Sequence, residues 1–184
     1  TKNIGSVTKI DDLISGRGPF SMLGEEVYDD YWMYYLTEDM AKAMEITDKN
    51  IALNFGNDTR HTSYAEDAFK FLNGIENSGV QYDLIVLDPP AFAKHREALR
   101  NALKGYKRLN AKAFEQIKPG GILFTFSCSQ VVSREQFRLA VFSAAAESGR
   151  NVRILHQLTQ PADHPVNIYH PEGEYLKGLV LWVE

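Results

Sequence analysis

Two short stretches put reactive side chains where a fold could use them. Cys128, in TFSCSQ at residues 125–130, is the only cysteine of the chain and follows the apolar run GILFTF. Asp88, in DPPAFAK at residues 88–94, follows the apolar run YDLIVL. A thiolate is the strongest nucleophile among ordinary side chains, and it needs access and a favoured ionised form. The two prolines after Asp88 end the strand and stiffen the turn, because proline locks φ and lacks an N–H. A rigid turn holding a carboxylate suits a site that grips a planar polar group. Each stretch also has a plainer reading: a small thiol packing at a strand end, and an aspartate capping a turn.

The surrounding pattern supplies elements to position both groups. Residues 82–87, 122–126, 152–158 and 178–183 have strand length and composition, the second launched by the turn Lys118-Pro119-Gly120-Gly121. Helical spacing covers residues 40–54, ending at Gly56 as a C-cap. A second helix begins at Asp67. A long one spans 97–117, with Leu99, Leu103, Tyr106, Ala113, Phe114 and Ile117 on one face. A fourth opens on the capping pattern Ser133-Arg-Glu-Gln and runs to about Ser148. Alternating strands and helices predict an α/β fold with a mostly parallel sheet and helices on both faces. Ligands in such sheets sit at the carboxyl ends of strands, which is where Asp88 and Cys128 fall.

The first forty residues carry weaker signals. SVTKIDDLISGRGPFSMLG reads as a strand and a glycine turn at Gly16 and Gly18. A second strand falls at 27–28 or 32–36. No repeat, low-complexity segment or second domain is visible. The 184 residues suit one domain. With 44% hydrophobic and 24% charged residues, the composition is that of a folded soluble protein. No apolar run reaches the roughly 20 residues of a membrane helix, and no signal peptide is visible. One cysteine and five scattered histidines suggest no metal site and a reducing, cytoplasmic setting. A net charge of −4 does not by itself advertise nucleic-acid binding.

Three segments, YDLIVLDPPAFAK, ALKGYKRLNAKAFEQIKPGGILFTFSCSQ and QPADHPVNIYHPEGEYLKGLVL, carry a resemblance. They resemble class I S-adenosylmethionine-dependent methyltransferases, and within these the ribosomal large-subunit RNA cytosine-5 methyltransferase family. Upstream, AEDAF at 65–69 is similar to the family's acidic segment. DLISGRGPFS at 12–21 is similar to its glycine-rich first motif, with Arg17 and Pro19 interrupting the glycines. Nothing corresponds to the family's N-terminal PUA-type RNA-binding domain. The chain therefore reads as a single methyltransferase domain, with residues 1–40 as a divergent cofactor-motif region. The resemblance implies a Rossmann-like, seven-stranded sheet whose last strand is antiparallel.

It also implies roles. Cys128 matches the family's cysteine, which adds to C6 of cytosine and makes C5 nucleophilic toward a sulfonium methyl. Asp88 matches the acid that balances charge near N3 and the exocyclic amine. S-adenosyl-L-methionine is the implied cofactor. Asp12, Gly16 and Gly18 would lie at its amino-acid end, and Glu38 (or Asp30) at its ribose. Asp67 would take the adenine amine, with Asp88 and Pro89 beside it. Ribosomal RNA is the implied partner, and a homodimer is allowed. Substrate contacts fall to Pro90, Phe92, Lys94 and His164, the last as a base for the C5 proton. From Lys94 to Lys112 there are seven basic residues against one acid, Glu97. Arg96, Arg100, Lys104 and Lys107 share a helical face, suited either to RNA phosphates or to plain solvation. Asn110, polar on the apolar face, would brace the Asp88 turn. Two other readings stay open: a methyltransferase acting on another base position, for which a thiol is unnecessary, and a non-catalytic RNA-binding module.

Overall fold

The computed structural model describes residues 32–33, 39–56, 60–65, 67–75 and 78–184. The readings that rest on Asp12, Gly16, Gly18, Asp30 and Glu38 lie outside the described residues.

Among the described residues, five strands form one mixed sheet in the order β1-β2-β3-β5-β4. They are β1 (Trp32–Met33), β2 (Tyr82–Leu87), β3 (Ile117–Ser127), β4 (Val152–Leu158) and β5 (Lys177–Val183). β1 to β3 run parallel, and β5 lies antiparallel to both β3 and β4. The expected α/β class and antiparallel last strand are both present. β1 pairs directly with β2, Trp32 opposite Val86 and Met33 opposite Leu87. In the doubly wound order the neighbour of that inner strand is the first strand of the sheet rather than the second.

The helices are α1 (Asp39–Phe55), α2 (Ala68–Ile75), α3 (Leu99–Gln116) and α4 (Arg134–Ser148). α1 ends at Gly56, whose φ of 63° and N–H bond to Ala52 O make it the C-cap expected. Asp67 is the acid at the start of α2: its Oδ1 accepts the Lys70 N–H at 3.0 Å. α3 begins after a short 3-10 turn, Arg96–Ala98. α4 opens on a full capping box between Ser133 and Gln136.

α3 and α4 cover one face of the sheet. Tyr106, Phe114 and Phe137 are fully buried there against Ile117, Leu123 and Leu181. Val86, Phe124 and Val180 form a second buried group. β3 begins earlier than the pattern predicts. Tyr82 pairs with Ile117 and Leu84 with Ile122, so Lys118 to Gly121 bulge out of the ladder and the register resumes. Gly178 lies opposite Phe126 in the β3–β5 ladder. A Cβ there would stand 2.6 Å from the Phe126 ring and 3.0 Å from Leu158 Cβ. Close strand approach, not an unusual φ, therefore requires glycine.

Candidate active site

Parallel pairing of β2 and β3, with Leu87 opposite Thr125, carries Asp88 and Cys128 to the same sheet edge. The Cys128 Sγ lies 3.9 Å from the Pro89 carbonyl oxygen. Cys128 and Asp88 are half-buried, and Pro89 is buried. The two turns are bolted together: Ser129 Oγ donates to Ala93 O at 2.6 Å, and Ser127 Oγ to the Tyr106 hydroxyl at 2.9 Å. The Phe92 N–H also bonds that hydroxyl. Tyr106 thus does more than fill the core; its oxygen joins the DPPAF turn, β3 and α3.

Electrostatics set the state of the thiol. Burial pushes the Cys128 pKa up, and the nearby Asp88 carboxylate pushes it further the same way. Its own N–H, Lys177 and the Ala91 N–H oppose this, with smaller effect. The sequence suggested a cysteine whose thiolate is favoured. The surroundings in the chain alone act the other way: burial first, and the Asp88 charge second, raise the Cys128 pKa and favour the thiol.

The remaining candidates are placed as follows. Phe92 is half-buried, with its ring tilted against Tyr106 at a centroid distance of 4.5 Å and over Gly105. It packs on α3 and supports the turn from behind. Pro90, Lys94, Arg96, Arg100 and Lys104 are exposed. Lys107 differs from its stripe, pairing with Glu147 of α4 at 2.6 Å. Arg108 stacks over the Phe69 ring at 3.8 Å. His164 is exposed, in a turn closed by its N–H to Pro161 O. Asn110 is fully buried, but its Nδ2 donates to Tyr106 O of its own helix, and its Oδ1 has no hydrogen-bond partner among the described residues. It bonds back along α3 and makes no hydrogen bond to the Asp88 turn.

Three groups escaped sequence reading: Lys177, and the hydroxyls of Ser127 and Ser129. Lys177 reads as loop before the apolar run. Its signal was the alternation Lys177, Leu179, Leu181, Val183, which puts it on the face that β5 buries.

For a cofactor, the described carboxylates are the relevant test. Asp67 is half-buried and uses Oδ1 for its cap, while its Oδ2 accepts no hydrogen bond among the described residues. An acceptor of that kind fits an amine. Asp88 sits at the strand edge where such sheets bind nucleosides.

This geometry has relatives. The chain is 44% identical over 139 residues to "Ribosomal RNA large subunit methyltransferase I" of Tolumonas auensis, an alignment covering 76% of this chain and 35% of that protein. The same-named Aeromonas hydrophila protein is 44% identical over 140 residues, with the same coverages. Its homologues are ribosomal RNA large subunit methyltransferases. The chain spans about a third (35%) of the length of these curated relatives. Two solved structures share the methyltransferase fold. SMU.776, described as a methyltransferase complexed with SAH, has a TM-score of 0.67 at 19% identity, covering 81% of this chain and 38% of that one. A SAM-dependent methyltransferase from Streptococcus mutans has a TM-score of 0.66 at 18% identity, covering 81% and 37%. A family model described as "Restriction endonuclease EcoRV" matches residues 1–56. That match stops short of Asp67, Asp88 and Cys128.

Proposed function

We propose that the chain is the catalytic part of an S-adenosylmethionine-dependent methyltransferase that forms 5-methylcytosine in large-subunit ribosomal RNA of the cytoplasm. One observation carries the reading: the chain's single thiol and the Asp88 carboxylate meet at one sheet edge, with Sγ 3.9 Å from Pro89 O. Methylation of an amine needs no thiol. C5 of a pyrimidine does, because it becomes enamine-like only after a nucleophile has added to C6.

When bound, S-adenosylmethionine supplies an electrophilic methyl group. Asp67 and Asp88, with Pro89, are the described residues that fit it. The roles of Asp12, Gly16, Gly18 and Glu38 depend on counting Trp32–Met33 into the second strand. They are left out of the proposed set, because that strand pairs beside β2, in the first strand's place. Asp88 accepts from the exocyclic amine of a flipped cytosine and holds the ring over Cys128. The Cys128 thiol would pass its proton through the Asp88 carboxylate to N3 as its sulfur bonds to C6, and the electron pair this leaves at C5 would take the methyl group. The C5 proton would then go to water as the C5–C6 double bond re-forms and the sulfur leaves as thiolate, which regains the N3 proton through Asp88. His164 is exposed and is proposed as an entry to the proton path rather than a contact of Cys128. Pro90, Phe92 and Lys94 form the wall beside the base, with Phe92 fixing the wall from its core side.

The test is nucleoside analysis after incubating the chain, labelled cofactor and ribosomal RNA. Label in 5-methylcytosine supports the proposal; label in another base, or cofactor that fails to bind at millimolar concentration, sinks it.

The exposed cations Lys94, Arg96, Arg100 and Lys104 form the proposed RNA track beside the site. Arg100→Glu with Lys104→Glu is expected to weaken RNA binding and to flatten the dependence of log affinity on log salt by about two units, about one per phosphate contact. A double variant with the parental slope would reduce the stripe to a solvated face.

A further inference from the structure

Lys177 is the only buried side chain with a formal charge among the described residues. It opens β5 and pairs with Ser127 across the β3–β5 ladder, next to the turn that presents Cys128. Its Nζ donates to Ser129 O at 2.5 Å and to Val132 O at 2.8 Å. Those carbonyls stand at the two ends of one turn, which the Val132 N–H closes on Ser129 O. The ammonium therefore clamps the backbone just after Cys128 at both ends.

An ammonium is costly to bury unless it is paired. No carboxylate pairs with Lys177 among the described residues. Arg134 adds repulsion, although its own charge is engaged by Glu174 at 2.5 Å. Carbonyl bonds alone could be supplied by a neutral donor. A buried cation is understandable where a negative charge arises during function, and the group that can gain one here is the Cys128 sulfur. Among the described residues, three charged or titratable groups face that sulfur: Asp88 from the β2 turn, Tyr106 from α3 and Lys177 from β5.

We propose that Lys177 is a positioning residue for the reaction proposed above: its ammonium fixes the Ser129–Val132 turn behind Cys128 and supplies the standing positive charge that offsets Asp88 when the sulfur becomes anionic. The inference rests on the methyl-transfer reading for its purpose, but its physics belongs to the chain alone. Burial holds the lysine's own pKa down while the sulfur draws it up, the reciprocal of the effect on the thiol.

Iodoacetamide alkylation across pH reads one group, since Cys128 is the only cysteine. Lys177→Gln keeps N–H donors for both carbonyls and removes the charge. The expected result is a rise of about one pH unit in the alkylation midpoint. Below the midpoint the rate should fall roughly threefold, because the tenfold loss of thiolate is partly offset by its greater nucleophilicity. A midpoint equal to that of the parent chain would overturn the inference and leave Lys177 as a hydrogen-bonding clamp. If Lys177→Gln does not fold, the Nζ resonance of Lys177 is followed by NMR through the pH range where Cys128 ionises. A step in the parent chain that disappears in Cys128→Ser supports the coupling; no step, or one that persists, overturns it. Neither measurement uses cofactor or RNA. Failure of methyl transfer with an intact midpoint shift would therefore count against the function and leave the charge pair standing.

Discussion

Cys128→Ala is expected to lower 5-methylcytosine formation by at least about 10⁴-fold, the scale on which removing a covalent nucleophile acts. Cofactor affinity should stay within about twofold. The substitution removes one sulfur from a half-buried position at the end of β3. It leaves Ser127–Tyr106 and Ser129–Ala93 to hold the turn, and a small residue fits where the thiol stood. Calorimetric titration with S-adenosylmethionine and nucleoside analysis on the same preparation check both halves. Undiminished methylation would remove the thiol from the chemistry and favour an amine as the methyl acceptor. Loss of both binding and transfer would mean that Cys128 has a structural role.

Asp88→Asn is expected to act in opposite directions on two measurements. Methyl transfer should fall by about 10²–10³-fold, the usual loss when one preorganised polar group is removed from a developing charge. Ionisation of Cys128 should become easier. Burial is the first cause of its raised pKa and the Asp88 charge the second. Removing a negative neighbour favours a second negative charge, so the alkylation midpoint of the bare chain should move to lower pH. At pH below the parent midpoint the thiol should therefore react faster while the enzyme turns over more slowly. A midpoint that stays put would mean that Asp88 and Cys128 do not share a pocket, and the site as described would be wrong.

These two variants also test why a site for a thiolate should favour the thiol. Burial, and after it the Asp88 charge, raise the Cys128 pKa in the chain alone. A base bound to Asp88 shares that carboxylate's charge through hydrogen bonds and weakens its hold on the sulfur. Lys177, already in place, then favours the anion. Nucleophile activation would thereby be tied to occupancy, and a reactive sulfur would not be left open to other electrophiles.

The chain's local patterning determined most of this architecture. YDLIVL and GILFTF are strands because β-branched and aromatic residues fill a pleated, buried surface, and each ends where polar residues or prolines begin. The Ser133 capping box and the Gly56 C-cap are set within a few residues of sequence, so both were legible. Asp88 and Cys128 could be placed at strand ends for the same reason. Only the tertiary structure decided what surrounds them. The register of β3 on β5 brings Lys177 to the turn after Cys128, across 45–48 residues of chain. Pairing of β2 with β3 makes Asp88 a neighbour of the thiol and adds its charge to burial in raising the Cys128 pKa, against the direction expected of an activated cysteine. Packing of α3 on α4 draws Lys107 to Glu147, turns Phe92 onto Gly105 and Tyr106, and leaves Asn110 bonded to its own helix. Hydrophobic periodicity reports which way a side chain faces. Which charge it meets there depends on strand register and helix packing between distant segments, and short-range patterns do not encode that.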